Sequence, residues 1–316
     1  MPSTAEAFQN LTAAGSTEMN DEQEEMQKFM HNNETAVYTW LKSLPEKPIA
    51  FPKIYGSFDL STETPMILME EVKGDLMKVE NGFTEEQLFS IAHELARFHA
   101  FCFTNDSWKN IEFYAMDFAK FDKFEAIMKQ ITAGLKATMP GFWTCLDPLF
   151  EKTTTRQNWE LGLISEDNPH RIVAHGDLWS PQIIWRDGKI ATILDWQVSH
   201  LGSLIEDISR VLATCTTTEL RRKLQSRVFD SYYEKLTEEL LKREHKVPFA
   251  RGFLDDEFKR ILPFTLTQTL FACAIWANSN VLKKGDSDDQ KRQMEIFSRT
   301  RAFFDDSNKL LGWTNN

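Results

Sequence analysis

The sequence predicts an α+β fold in which a few short strands are followed by long helices. Three observations carry that expectation. Residues 182–194 hold two β-rich runs joined at Asp187-Gly188, a pair that favours a tight type I′ hairpin turn. Short extended runs at Phe51 to Phe58 and Met66 to Val72 precede it. Apolar residues then recur at helical spacing over 217–243, 255–282 and 289–311.

The elements follow in chain order. Residues 1–20 are small and polar without a sustained pattern and read as a flexible tail. Asp21 through Leu44 has helical periodicity, and its first turn carries Asp21, Glu22, Glu24 and Glu25, which suit the positive end of a helix dipole. Gly74-Asp75 marks a boundary between a small N-terminal part, 21–73, and a large part, 74–316. Thr84 reads as an N-cap, followed by Glu85 and Glu86. The helix it opens runs to about Phe103 and turns Leu88, Ile91, Leu95 and Phe98 to one face. Ile261 to Leu282 is the most apolar stretch, yet it includes Pro263, Thr265, Thr267, Gln268, Thr269 and Asn278. That is too polar for a lipid-facing span, so it is expected as a central buried helix.

Composition narrows the function classes. The chain has 316 residues, 42% of them hydrophobic, with 24 Phe, enough to bury a substantial core. Its net charge is −11 and its pI near 5.2, and the basic residues are scattered, which argues against sequence-independent nucleic-acid binding. The N-terminus has neither a basic region nor an apolar stretch, so no secretory signal is read there and a cytoplasmic location is expected. Cys102, Cys145, Cys215 and Cys273 lie far apart in apolar surroundings and read as reduced core thiols. The seven histidines show no metal-ligand spacing, which makes a zinc site improbable.

The chemistry-bearing segment is His175-Gly176-Asp177-Leu178-Trp179-Ser180-Pro181-Gln182, leading into Ile193-Leu194-Asp195-Trp196. Phosphoryl transfer needs one carboxylate to orient the attacking hydroxyl and a second to hold Mg²⁺ on the phosphates. Asp177 and Asp195 suit those roles, because the intervening hairpin folds the chain back and brings them to one end.

The segment resembles the catalytic core of the aminoglycoside phosphotransferase and choline kinase superfamily, and most closely its CHK kinase-like, ecdysteroid-kinase-like branch with many nematode members. The resemblance runs over roughly residues 29 to 310. It implies a protein-kinase-like two-lobe fold with a mainly helical C-terminal lobe, and ATP and Mg²⁺ as cofactors. The acceptor it implies is a hydroxylated small molecule, the nearest branch suggesting a lipophilic one. By the same resemblance Asp177 orients that hydroxyl, Asp195 and Gln182 hold metal, His175 supports the loop and Asp207 braces it. Phe51 to Tyr55 resembles a small-lobe strand, and the backbone at Glu70, Glu71 and Val72 the hinge that meets adenine. Glu34 resembles the helix glutamate that pairs a phosphate-binding lysine; a solvated helix residue is its other reading.

Two departures matter. The 33 residues before Glu34 contain one glycine, Gly15, one lysine, Lys28, and no β-rich run, where the family pattern has a glycine-rich loop and a strand lysine. Lys28 is six positions from Glu34 on one helix, whereas helical neighbours are three or four apart. An incomplete N-terminal lobe is expected, with weak or absent kinase activity. The same gap suggests a non-catalytic pseudokinase, with a protein partner over apolar surface at Ile54, Ile67 and Leu68. The second departure is Gln182, where the pattern has Asn five residues after the catalytic Asp. Its amide reaches roughly 1.5 Å further, against the strict octahedral geometry of Mg²⁺. Trp179, Trp185 and Trp196 crowd the motif, either as core or as an aromatic box for a quaternary ammonium.

Overall fold

The computed structural model describes residues 21–114, 124–143, 147–153, 155–163 and 168–313. The expectation for residues 1–20, and that for Cys145, lie outside them. Helix α1 (Asp21–Ser43) comes first, followed by strands β1 (Ile54–Phe58), β2 (Met66–Met69) and β3 (Asp75–Leu76) and helix α2 (Glu85–Thr104). Helices α3 (Phe124–Thr138), α4 (Pro140–Trp143), α5 (Asp147–Thr153) and α6 (Arg156–Leu163) lead to β4 (Ile172–Ala174), β5 (Ile183–Arg186), β6 (Lys189–Ile193) and β7 (His200–Gly202). Four helices end the chain: α7 (Glu206–Thr214), α8 (Thr218–Lys242), α9 (Phe253–Ala277) and α10 (Asp289–Leu311).

The fold is therefore α+β, with a small strand-bearing N-terminal part and a mainly helical remainder. Strands β1 and β2 pair antiparallel by themselves, β3, β5 and β6 form a second sheet in that order, and β4 pairs with β7. The first strand starts at Ile54 instead of Phe51, since Pro52 has no N–H to give a ladder. Asp187 and Gly188 both have positive φ, 51° and 73°, as the type I′ turn between β5 and β6 requires.

Packing explains the long helices. Thr84 caps α2 as expected: its hydroxyl accepts from the Gln87 N–H while the Gln87 side chain accepts from the Thr84 N–H. The α2 face bearing Leu88, Ile91, Leu95 and Phe98 is buried and lies along α8. Helix α9 is buried along most of its length, and its polar members are bonded inward: Thr265 and Thr269 donate to carbonyls one turn back. No helix among the described residues is long and apolar enough to cross a membrane. Cys102, Cys215 and Cys273 are buried free thiols.

The apolar surface expected at Ile54, Ile67 and Leu68 is corrected in detail. Ile54 is buried, because α1 packs on that side of β1. The exposed apolar side chains of the β1–β2 hairpin are Tyr55, Phe58, Met66 and Leu68.

Candidate active site

The loop between β4 and β5 is held by one buried carboxylate. Asp207, in the first turn of α7, accepts from the His175 N–H at 2.8 Å through Oδ2 and from the Gly176 N–H at 3.0 Å through Oδ1. Burial raises the Asp207 pKa, and these backbone donors act against it. Gly176 is required for two reasons. Its φ of +82° is left-handed, and a Cβ there would lie 2.4 Å from the Val198 carbonyl oxygen.

His175 joins the loop to the strand that carries Asp195. Its Nδ1 accepts from the Asp177 N–H at 3.3 Å and its Nε2 lies 2.8 Å from the Leu194 carbonyl oxygen, so the consistent tautomer is protonated at Nε2. Its ring packs 4.8 Å from Trp196.

Asp195 follows β6 in a left-handed conformation, φ +67°. Its N–H donates to the Tyr38 hydroxyl of α1 at 3.3 Å, and the Gln182 side-chain amide donates to its Oδ2. Burial, and then the charge of Asp177, push its carboxyl up to about 7. Glu34, on the same helix as Tyr38, is pushed up to about 8 by burial and by the charge of Asp195, with a hydrogen bond from the Trp196 N–H opposing. Of the two readings of Glu34, the structure disfavours the solvated one. Among the described residues it has no ion-pair partner, and Lys28 instead pairs with Glu24 at 2.5 Å.

Asp177 is partnered by a residue that motif reading missed. Arg210 Nη2 lies 2.7 Å from Asp177 Oδ1, with both side chains largely buried. The guanidinium also donates to the Gln268 carbonyl at 3.1 Å and sits 5.7 Å from the Trp276 ring. Gln268 in turn donates its side-chain amide to the Gly176 carbonyl at 2.9 Å, and the Cys215 sulfur accepts from the Ser180 N–H at 3.3 Å. The sequence signal for Arg210 was its place one helical turn after Asp207.

The structure thus brings His175, Asp177, Gln182, Asp195, Asp207 and Glu34 to one site. Glu70, Glu71 and Val72 follow β2, where the Glu70 carboxylate accepts from the Lys53 N–H at 2.7 Å and the Glu70 N–H donates to the Lys53 carbonyl at 2.9 Å. The aromatic box is overturned. Trp179 stacks on Trp276 at 4.6 Å, Trp185 packs on Phe83, and Trp196 packs on Phe98 and His175. All three are buried, each against different ring neighbours.

A carboxylate and an amide oxygen are hard donors of the kind Mg²⁺ takes. The donor types at Asp195 and Gln182 therefore fit a divalent cation, although the Gln182 amide presents its nitrogen. Among the described residues no group of three or more His, Cys, Asp or Glu side chains is placed to hold a metal ion.

Fold and loop geometry define an α+β chain in which a loop braced by a buried carboxylate lies beside the segment that carries Asp195. More particularly, the chain belongs to the DUF1679 family, described as "Uncharacterized oxidoreductase dhs-27", which matches residues 3–310. It is 22% identical over 279 residues to that Caenorhabditis elegans protein, covering 81% of this chain and 33% of the relative. The chain spans about a third of the length of that relative. Among solved structures, it is similar to an aminoglycoside 2′-phosphotransferase-IIIa in its GDP complex, with 10% identity, TM-score 0.46, and 92% and 83% of the two chains covered. It is also similar to a Plasmodium vivax ethanolamine kinase, with 13% identity, TM-score 0.45, and 91% and 74% covered. At that distance the functional reading rests on the site's own geometry.

Proposed function

We propose that this chain is a kinase-like protein related to ATP-dependent small-molecule phosphotransferases of the CHK, ecdysteroid-kinase-like kind, with phosphoryl transfer to a hydroxyl that is weak or absent. One observation carries the reading. Two carboxylates, the buried Asp177 and the half-buried Asp195, lie close enough for the charge of the first to raise the pKa of the second, on two segments tied together through His175 and Leu194. In this reading residues 21–73 are a reduced small lobe with hinge, residues 74–316 are the large lobe, and the protein works in the cytoplasm.

Each residue has a part in the chemistry. Asp177 uses Oδ1 for Arg210, and its Oδ2, which takes no hydrogen bond from the described residues, is available to accept from the acceptor hydroxyl. Fixing that hydroxyl in line is the positioning that this reaction chiefly needs. Asp207 and His175 keep the loop in place, Asp195 with Gln182 forms the metal position, and the backbone of Glu70 to Val72 meets the nucleotide base. A bound cation supplies neutralisation of phosphate charge. Glu34 has no lysine partner among the described residues, so the ion pair that would steady the phosphates is missing there and the expected rate is low. The acceptor is read as a hydroxylated, lipophilic small molecule.

The relative's description as an oxidoreductase finds no counterpart in these residues. The match covers 33% of that protein, and this chain has no G-x-G-x-x-G dinucleotide fingerprint. A second reading, a non-catalytic pseudokinase that binds a ligand or a protein partner, draws on the Asp177–Arg210 ion pair and the Gln182–Asp195 bond. Both engage the reactive carboxylates internally.

Thermal-shift titration with ATP and Mg²⁺ tests the proposal, since a ligand that binds only the folded state raises its stability. A shift lost in Asp195→Asn, with ATP turnover lost in Asp177→Asn, supports a phosphotransferase. A shift without turnover supports the second reading. No shift at saturating nucleotide, in a protein that unfolds cooperatively, sinks nucleotide binding altogether.

A further inference from the structure

We propose that the Gln182 side chain is a built-in competitor for the divalent cation of this site. Its amide N–H occupies the Asp195 oxygen that a metal would take, so the folded site is satisfied without a cation. The identity of the site rests on the phosphotransferase reading above, but the contact between the two side chains does not.

Both ends of the contact are locked. The Gln182 N–H donates to the Trp179 carbonyl at 3.0 Å and the Gln182 carbonyl accepts from the Leu194 N–H at 2.8 Å, which sets the glutamine backbone beside the residue preceding Asp195. The Asp195 N–H is held by Tyr38 and the Leu194 carbonyl by His175, so the carboxylate cannot swing away with its backbone. Gln182 is 7% exposed, and its amide donates to Asp195 Oδ2. The amide orientation follows from chemistry: turned over, it would set a carbonyl oxygen against a carboxylate oxygen, whereas the NH₂ group donates to it.

Side-chain length makes the difference. From the same backbone, asparagine is shorter by one methylene, roughly 1.5 Å, and its amide would fall short of the carboxylate. The extra methylene of glutamine closes that gap. To admit a cation, the amide must turn and give up a hydrogen bond to a charged group, which makes apparent cation affinity roughly ten- to a hundredfold weaker than in a site with a shorter amide.

The experiment is a Mn²⁺ titration of the full chain, without nucleotide, followed by water-proton relaxation, on wild type, Gln182→Asn, Gln182→Glu and Asp195→Asn. Gln182→Asn is expected to bind Mn²⁺ at least about tenfold more tightly than wild type, and Asp195→Asn to lose that binding. Gln182→Glu sets a second carboxylate against Asp195. Its melting temperature should rise on adding Mn²⁺ while that of wild type stays fixed, a readout that holds even where Gln182→Asn folds poorly. Equal Mn²⁺ affinity in wild type and Gln182→Asn, or no cation effect on Gln182→Glu, overturns the inference. A missing nucleotide response overturns the proposed function alone, because no nucleotide enters these titrations.

Discussion

Replacing Asp207 puts a number on the brace beneath the His175–Gln182 loop. The Asp207 carboxylate satisfies two buried backbone donors, the N–H groups of His175 at 2.8 Å and Gly176 at 3.0 Å. A buried donor left without a partner costs about 1–3 kcal/mol. Asp207→Ala strands both, for a loss of about 2–6 kcal/mol, while Asp207→Asn keeps one acceptor and turns an NH₂ group toward the other donor, for about 1.5–3 kcal/mol. Urea unfolding of the two variants measures the loss. Hydrogen exchange at the His175 and Gly176 amides locates it: both should lose protection in the alanine variant, and one chiefly in the asparagine variant. The reasoning fails if Asp207→Ala unfolds within about 0.5 kcal/mol of wild type with both amides still protected.

Three further outcomes are expected. His99 is buried against the Tyr232 hydroxyl, and burial lowers its pKa to about 3, so as pH falls below the unfolded value of about 6.5 the unfolded chain takes the proton first. Stability should fall by up to about 1.4 kcal/mol per pH unit over that window, near 2 kcal/mol at pH 5, and pH-dependent unfolding of His99→Gln should lack that component. Gly176→Ala, with its Cβ 2.4 Å from the Val198 oxygen, should lose about 2–6 kcal/mol. Gly188→Ala, also at positive φ but with nothing within 4 Å, should lose only about 1–2 kcal/mol, and the two melting temperatures compared give the check. Thr84→Ala removes the α2 cap at a cost of about 0.5–2 kcal/mol and should leave any nucleotide response intact, so a lost response would argue against the site as drawn.

What could be read from the sequence was what lies close together along it. The β5–β6 turn, the loop from His175 to Gln182 and the cap at Thr84 each depend on neighbours within a few residues, and local patterning describes those. Asp207 entered only through the family resemblance. Arg210, Tyr38 and Gln268 were not legible, since each reaches its partner across the fold: Arg210 to Asp177, Tyr38 to Asp195, Gln268 to Gly176. Of the two readings of the tryptophans, the structure bears out core. Nearness in sequence suggested a shared box, but strand alternation and the loop send Trp179, Trp185 and Trp196 to three different sets of neighbours. Glu34 stood between two readings because its surroundings, Asp195 and the Trp196 N–H, are supplied by a distant segment.

The Tyr38 hydroxyl makes the first helix a latch on the segment that carries Asp195. A non-glycine residue in the left-handed region stands about 1–2 kcal/mol above its relaxed backbone, and Asp195 is kept there at φ +67° with a hydroxyl that arrives from α1 on its N–H. Lifting α1 would withdraw that hydroxyl and take Glu34 away from the Trp196 N–H in the same movement. The aspartate could then relax and turn its carboxylate off the site. Whatever binds or pulls on residues 21–43 therefore acts at the same time on the Asp195 carboxylate, and the seating of one helix sets whether these side chains stay together.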